Sequence, residues 1–381
     1  MHRLSILILA IAALLTSAHA NGGATLVGNY TSPGGNASLF DPDDFSTLGG
    51  GAPTSFDNGF LTFNTTTGRV EFNPMPYGSP TFSGYGSIVT PQSSPQSVAL
   101  FNFESLNIGE NVSINVVGYN PLVISSRTNL RLASNIDITP GMVGGGNLNM
   151  APGFGHPGIQ KGVPNGGAGA GHASMGEYGT GFNSGLPFTP TPRPGGSAYN
   201  YPSLNAGLFG GSTGGAEPSS VLPGEGGGAI GLIAQDTLTL AANIAVPGGA
   251  GQNGFDLFNP SSGGGSAGSV LLAAPDIDLT STPTIDVQGG YGGSFSGATI
   301  NSTGNFASFG GKGSDGRVAY IHDTMTVFGN ANILGVGGGG NGTLFNGVGN
   351  LPQTLIVPEP SRALLLLGGF ALALLRRRRA H

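Results

Sequence analysis

The chain has 381 residues, of which 72 are glycine and 27 proline; cysteine and tryptophan are absent and only 8% of residues are charged. The lack of cysteine excludes disulfide staples, thiolate metal sites and a cysteine nucleophile. Between residues 21 and 357, seven Lys and Arg face 18 Asp and Glu, a net charge of −11, which argues against nucleic acid or anionic lipid as a partner.

Taken in chain order, the first element is a leader. Met1-His2-Arg3 supplies a positive start, and Leu4 to Leu15 is apolar apart from Ser5. Ser17-Ala18-His19-Ala20 then places small residues around a bulky one, the A-x-A form of a signal-peptidase site, with cleavage expected after Ala20. Residues 21–97 read as additional β structure and irregular loops that cap the repeats beginning at residue 98.

From residue 98 onward the dominant feature is an internal repeat. "NLRLASNIDIT" at Asn129 aligns without a gap with "TLTLAANIAVP" at Thr237, and the offset of 108 also sets Leu122 and Ile124 against Ile230 and Leu232. A step of 24 residues toward the N-terminus puts Val98 and Leu100, Leu106 and Ile108, and Val112 and Ile114 on the same six apolar slots. "DTMTVFGNANI" from Asp323 matches "DTLTLAANIAV" from Asp236 at an offset of 87. A looser unit runs through Val270 and Leu272, Ile277 and Leu279, then Ile285 and Val287.

Five units of three short alternating strands predict an all-β chain, a parallel β-solenoid over residues 98–345 in which each unit is one turn. A β-sandwich with chance similarity between strands is the alternative. One polar slot precedes the third strand: Asn111, Asn135, Asn243 and Asn330, with Thr284 in the looser unit. Asn suits tight corners, and stacked amides hydrogen-bond along an axis, so this slot reads as structural. The units are separated by glycine-rich stretches, the longest having 27 glycines among residues 141–228. These are expected to project from the corners as loops.

Catalytic and metal-binding patterns are weak. His156 and His172 lie in a glycine stretch with Glu177 as the nearby acid, and a solvated loop is the expected setting; no metal or other cofactor is expected. "GGSAG" around Ser266, with His322 downstream as a base, spells a nucleophile elbow but lacks the strand before and the helix after. "GVGGGG" from Gly335 opens no helix. "GGKGSDGRV" from Gly310 departs from the calcium-binding nonapeptide at Arg317 and reads as an ordinary turn. Asp276, Asp278 and Asp286 form an outward acidic set without a neighbouring base. Thr237 with Thr239 and Thr324 with Thr326 share outward slots, but Asn107, Asn129, Arg131 and Asp278 at the equivalent places interrupt an ice-matching ladder.

After a linker at residues 346–356 the chain ends on "VPEPSRALLLLGGFALALLRRRRAH". Ala363 to Leu375 holds 13 uncharged residues, about 20 Å of helix at ~1.5 Å per residue, against ~30 Å of bilayer hydrocarbon. Arg376, Arg377, Arg378 and Arg379 would hold the end on the cytoplasmic side.

Pro358-Glu359-Pro360, the short apolar helix and the arginine cluster together resemble the PEP-CTERM sorting signal, whose C-terminal signature also occurs on proteins described as ice-binding. The resemblance implies export across the inner membrane of a Gram-negative bacterium by the Sec machinery, transient membrane anchoring, and processing by exosortase at a cell surface rich in exopolysaccharide. The body resembles glycine-rich β-helical surface proteins and filamentous-haemagglutinin-like adhesins through "GGGAIGLIAQDTLTLAANIAVPGG" and "SAGSVLLAAPDIDLTSTPTIDVQGG". The expected function is a non-enzymatic surface or matrix protein associated with exopolysaccharide. An adhesin or an ice- or glycan-binding protein using a solenoid face is the alternative, and a β-helix polysaccharide lyase is third.

Overall fold

Alternating apolar residues separated by glycine build strands whose inner faces stack on one another. The computed structural model describes residues 42–76, 78–89, 97–145, 155, 166–183, 192–199, 208–216, 221–255, 259–298, 305–321, 326–337, 340–341 and 343–347. Both terminal signals, Asn129's counterpart Thr324, His156 and His322 lie outside these residues, as do Pro358, Glu359, Pro360, Ala18, Ala20 and the arginine cluster. The described part is all-β; its one helix is a single 3-10 turn, Pro42–Asp44.

Three ladders of parallel strands carry the core. Sheet I joins, in spatial order, Thr343–Gly347, Arg317–Ile321, Ser269–Ala273, Ala229–Ala234, Leu122–Ser126 and Val98–Phe103, with Ser87–Val89 added antiparallel at the edge. Sheet II runs through Thr326–Gly329, Asp276–Leu279, Thr237–Leu240, Leu130–Leu132, Leu106–Val117 and Thr54–Asn64, and then turns antiparallel at Arg69–Pro74 and Phe82–Tyr85. Sheet III stacks Asn332–Leu334, Thr284–Asp286, Ile244–Ala245 and Ile136–Asp137.

The repeat offset of 108 is the strand register: Leu122 faces Ile230, Leu130 faces Leu238 and Ile136 faces Ile244. These residues, with Val270, Ile277, Ile285 and Val318 above them, form one apolar cluster at 0–1% exposure. At the rate of about 1.5–3 kcal/mol for a fully buried aliphatic side chain, such rows hold the ladders together.

Two registers differ from the sequence alignment. Ala99 and Phe101, rather than Val98 and Leu100, face Leu122 and Ile124 and enter the core. Asp276 pairs with Thr326 and Ile277 with Val327, so the last unit sits two residues later than the Asp323 match implies. The second slip lies in sheet II, whereas the first has its cause in the burial of sheet I. Sheet I is covered on both faces, so its strands "VALFNF", "AIGLIA" and "SVLLA" are buried throughout and carry no alternation to fix the phase. The first unit also has two strands rather than three, because Leu106–Val117 continues unbroken along Thr54–Asn64.

At the N-terminal end the sheet is filled by aromatic rings. Phe56 packs on Phe72 and Phe82 at 4.7 and 5.2 Å, and Phe63 on Phe101 at 5.0 Å between centroids. Residues 42–45 are tied down by the Asn102 amide, which donates to the carbonyls of Pro42 (2.8 Å) and Phe45 (2.9 Å).

The glycine-rich stretches are not projecting loops; where described, they pack into a second core built mainly of backbone. Residues 261–268 lie at its centre, fully buried. Their amides donate in turn to three different neighbours: Gly263 to Gly215, Gly264 to Gly311, Gly265 to Gly249, then Ser266 to Ser212, Ala267 to Ser314 and Gly268 to Val246. Their carbonyls accept with the same alternation, Ser261 from Gly167, Ser262 from Gly293, Gly263 from Gly224, and then Gly264 from Ala170, Gly265 from Gly290 and Ser266 from Gly227.

All twelve bonds measure 2.8–3.0 Å. Partners that recur every third residue mark an extended helix of three residues per turn, which has no internal hydrogen bonds and so satisfies its backbone entirely through neighbours. Six segments therefore surround the central one: residues 166–171, 208–216, 221–228, 246–251, 288–293 and 310–316. Each adjacent pair in this ring is also bonded, as in Gly215 to Ala168, Ser314 to Ala170, Gly313 to Gly290, Gly251 to Tyr291, Gly249 to Glu225 and Gly214 to Gly224. Residues 172–183 and 192–199 add an outer layer, through Glu177 to Lys312 and Gly176 to Gly196.

Candidate functional site

The asparagine slot makes a short ladder. Asn135 accepts the Asn243 amide on Oδ1 at 2.9 Å, and Asn243 accepts the Thr284 amide at 2.7 Å. Asn111 lies within Leu106–Val117, aligned with Asn58, and at the other end Asn332 rather than Asn330 aligns with Thr284. The ladder ties successive strands at a corner and exposes no reactive group.

His172 is not solvated. It is 1% exposed and stacks on Tyr199 at 4.7 Å between ring centroids. Its Nδ1 lies 2.7 Å from the Ala267 carbonyl, which requires the proton on Nδ1 and leaves Nε2 as an acceptor, 3.4 Å from the Ser269 hydroxyl. Arg317, the first residue of its strand in sheet I, donates through Nη2 to the carbonyls of Tyr199 (2.9 Å) and His172 (3.4 Å). Burial first, and the Arg317 charge second, push the His172 pKa down to about 3. Burial also lowers the Arg317 pKa and pushes that of Tyr320 up to about 12. A serine beside a histidine is the start of a nucleophile–base pair, but here Nδ1 meets a carbonyl rather than a carboxylate and both side chains are enclosed.

Ser266 is likewise interior. Its hydroxyl accepts the Ser212 amide at 2.7 Å and donates to the Gly171 carbonyl at 3.2 Å, standing in for backbone inside the glycine core. The "GGKGSDGRV" stretch is no surface turn: Asp315, 1% exposed, accepts the Gly289 amide at 2.7 Å and pairs with Lys312 at 3.2 Å. Glu177 is exposed and accepts the Lys312 amide. Among the described residues, no group of three or more His, Asp or Glu could hold a metal ion, and no helix is long and apolar enough to cross a membrane.

The open surface that runs along the stack is the outer face of sheet II. One row crosses five strands in register: Ser55, Asn107, Arg131, Thr239 and Asp278. Asn107 donates to the Ser55 hydroxyl at 3.0 Å and Arg131 to Asn107 Oδ1 at 3.2 Å, with Glu110 3.8 Å from Arg131. A second row aligns Thr237, Asp276 and Thr326. Neither is a threonine ladder. Tyr85, 69% exposed, stands beside Arg69 at the far end of the same sheet.

Sequence reasoning missed the buried cluster and the glycine core. A signal for the core exists, because outer segments keep a larger residue at every third position: Gln288-Gly-Gly-Tyr291-Gly-Gly, and Lys312 followed by Asp315. Compared with protein-family models, with curated proteins and with solved structures, the chain finds no match.

Proposed function

We propose that this chain is an exported, non-enzymatic surface or matrix protein, a parallel β-solenoid sorted by a PEP-CTERM-like tail and retained in exopolysaccharide. The leader, the Pro358-Glu359-Pro360 tripeptide, the apolar run and the arginine cluster support the route. The three parallel ladders support the architecture. The observation that carries the mode of action is the open polar row of sheet II. Strands in a ladder stand about 4.8 Å apart, so the row offers hydroxyl, amide and guanidinium groups at a regular spacing. Individually weak contacts of this kind add along an extended glycan.

The glycine segments are a poor alternative contact surface, since their amides and carbonyls bond to each other. Replacing Asn107, Arg131 and Thr239 together by alanine is expected to lower retention in the native polysaccharide by about tenfold, as a co-sedimentation assay would read. Unchanged retention contradicts the reading. So does cleavage of the polysaccharide by purified protein that is lost in the Asp276→Asn or Asp278→Asn variant.

A further inference from the structure

We propose that His172 is an acid-sensitive latch that holds the outer layer of the glycine core, residues 172–183 and 192–199, against the outer face of sheet I. The geometry is that of a pin through four chain segments. His172 and Tyr199 come from the outer layer, the Ala267 carbonyl from the central glycine segment, Ser269 from the start of one strand, and Arg317 from the next. The outward residues of sheet I, among them Val123, Ile233, Leu271 and Ala273, are at 0–3% exposure. This face is apolar and depends on its cover.

The groups facing the imidazole are the Tyr199 ring, the Arg317 guanidinium, the Ser269 hydroxyl and the Ala267 carbonyl; the Lys312–Asp315 pair lies on the segment leading into Arg317. Among the described residues no carboxylate is hydrogen-bonded to the ring, so a proton on Nε2 would place a second cation beside Arg317 in an enclosed site. The closed form therefore rejects the proton, and an opened outer layer accepts it. With His172 near 3 when closed and about 6.5 when exposed, the closed state binds fewer protons. Its stability is full above pH ~6.5 and falls as pH drops toward 3, the opening equilibrium rising about tenfold per pH unit.

The test is hydrogen exchange read by mass spectrometry on the full chain at pH 7.0 and 4.5, corrected for the intrinsic pH dependence of exchange. The amides of His172, Gly176 and Gly196 are expected to open about 100-fold more at pH 4.5, while those of Leu232 and Leu238 hold. In the His172→Gln variant, which keeps a neutral donor, the increase should vanish. An equal increase in that variant, or none in the parent chain, overturns the latch. Should the variant not fold, the imidazole nitrogen shifts of the parent decide: a ring that stays neutral at pH 4.5 in the closed protein supports the proposal, and one that titrates near 6.5 there refutes it.

Discussion

A methyl group at Gly268 would lie 1.6 Å from the Gly228 carbonyl oxygen, and one at Gly265 would lie 1.9 Å from that of Glu225. Neither obstacle is a flexible side chain, so the backbones must separate and break their mutual hydrogen bonds. Gly268→Ala is expected to destabilise the fold by more than ~3 kcal/mol, beyond ordinary overpacking. Gly78→Ala is the control, because the nearest atom to its added methyl is 4.0 Å away; its unfolding midpoint in denaturant should match that of the parent. The glycine content was plain in the sequence, but its use was hidden. The central segment "SSGGGSAG" is hemmed in on every side, so it has no preferred large position, and the periodicity survives only in the outer segments around Tyr291 and Lys312. His172 was unreadable for a related reason. Its burial depends on Tyr199, Ala267 and Arg317, which come from three separate stretches of chain.

At the scale of elements, the ladders were legible wherever one face met water. Leu130-Arg-Leu132 and Thr237-Leu-Thr-Leu240 alternate in and out, and the aligned residues pair as the offset of 108 requires. Phase was lost in sheet I, whose strands are apolar on both faces, and in the last unit, whose strand Thr326–Gly329 sits two residues later than the repeat places it. The rows also set mutational cost. Leu238 is fully buried between Leu130 and Ile277, so Leu238→Ala should cost about 2–5 kcal/mol through lost transfer energy and the cavity left behind. Chemical denaturation would measure it. A loss under ~1 kcal/mol would mean that the row does not bear on a common core.

For the whole molecule, two kinds of core share one connectivity. Two passages from sheet III back to sheet I leave as a glycine segment and return as another: residues 246–251 then 261–268, and residues 288–293 then 310–316. Stacking the strands therefore stacks the glycine segments as well. A chain without cysteine, with few charges and abundant glycine can bury backbone against backbone where it lacks side chains to bury. Among the described residues, the polar outer face of sheet II is left open along the stack. Export and sorting to a surface matrix are tested most directly by the intact mass of the protein recovered from its native host, separately from cells and medium. The expected result is a released chain that begins at Asn21 and lacks Arg376 to Arg379. Recovery from the medium of a chain that still carries those arginines would contradict it.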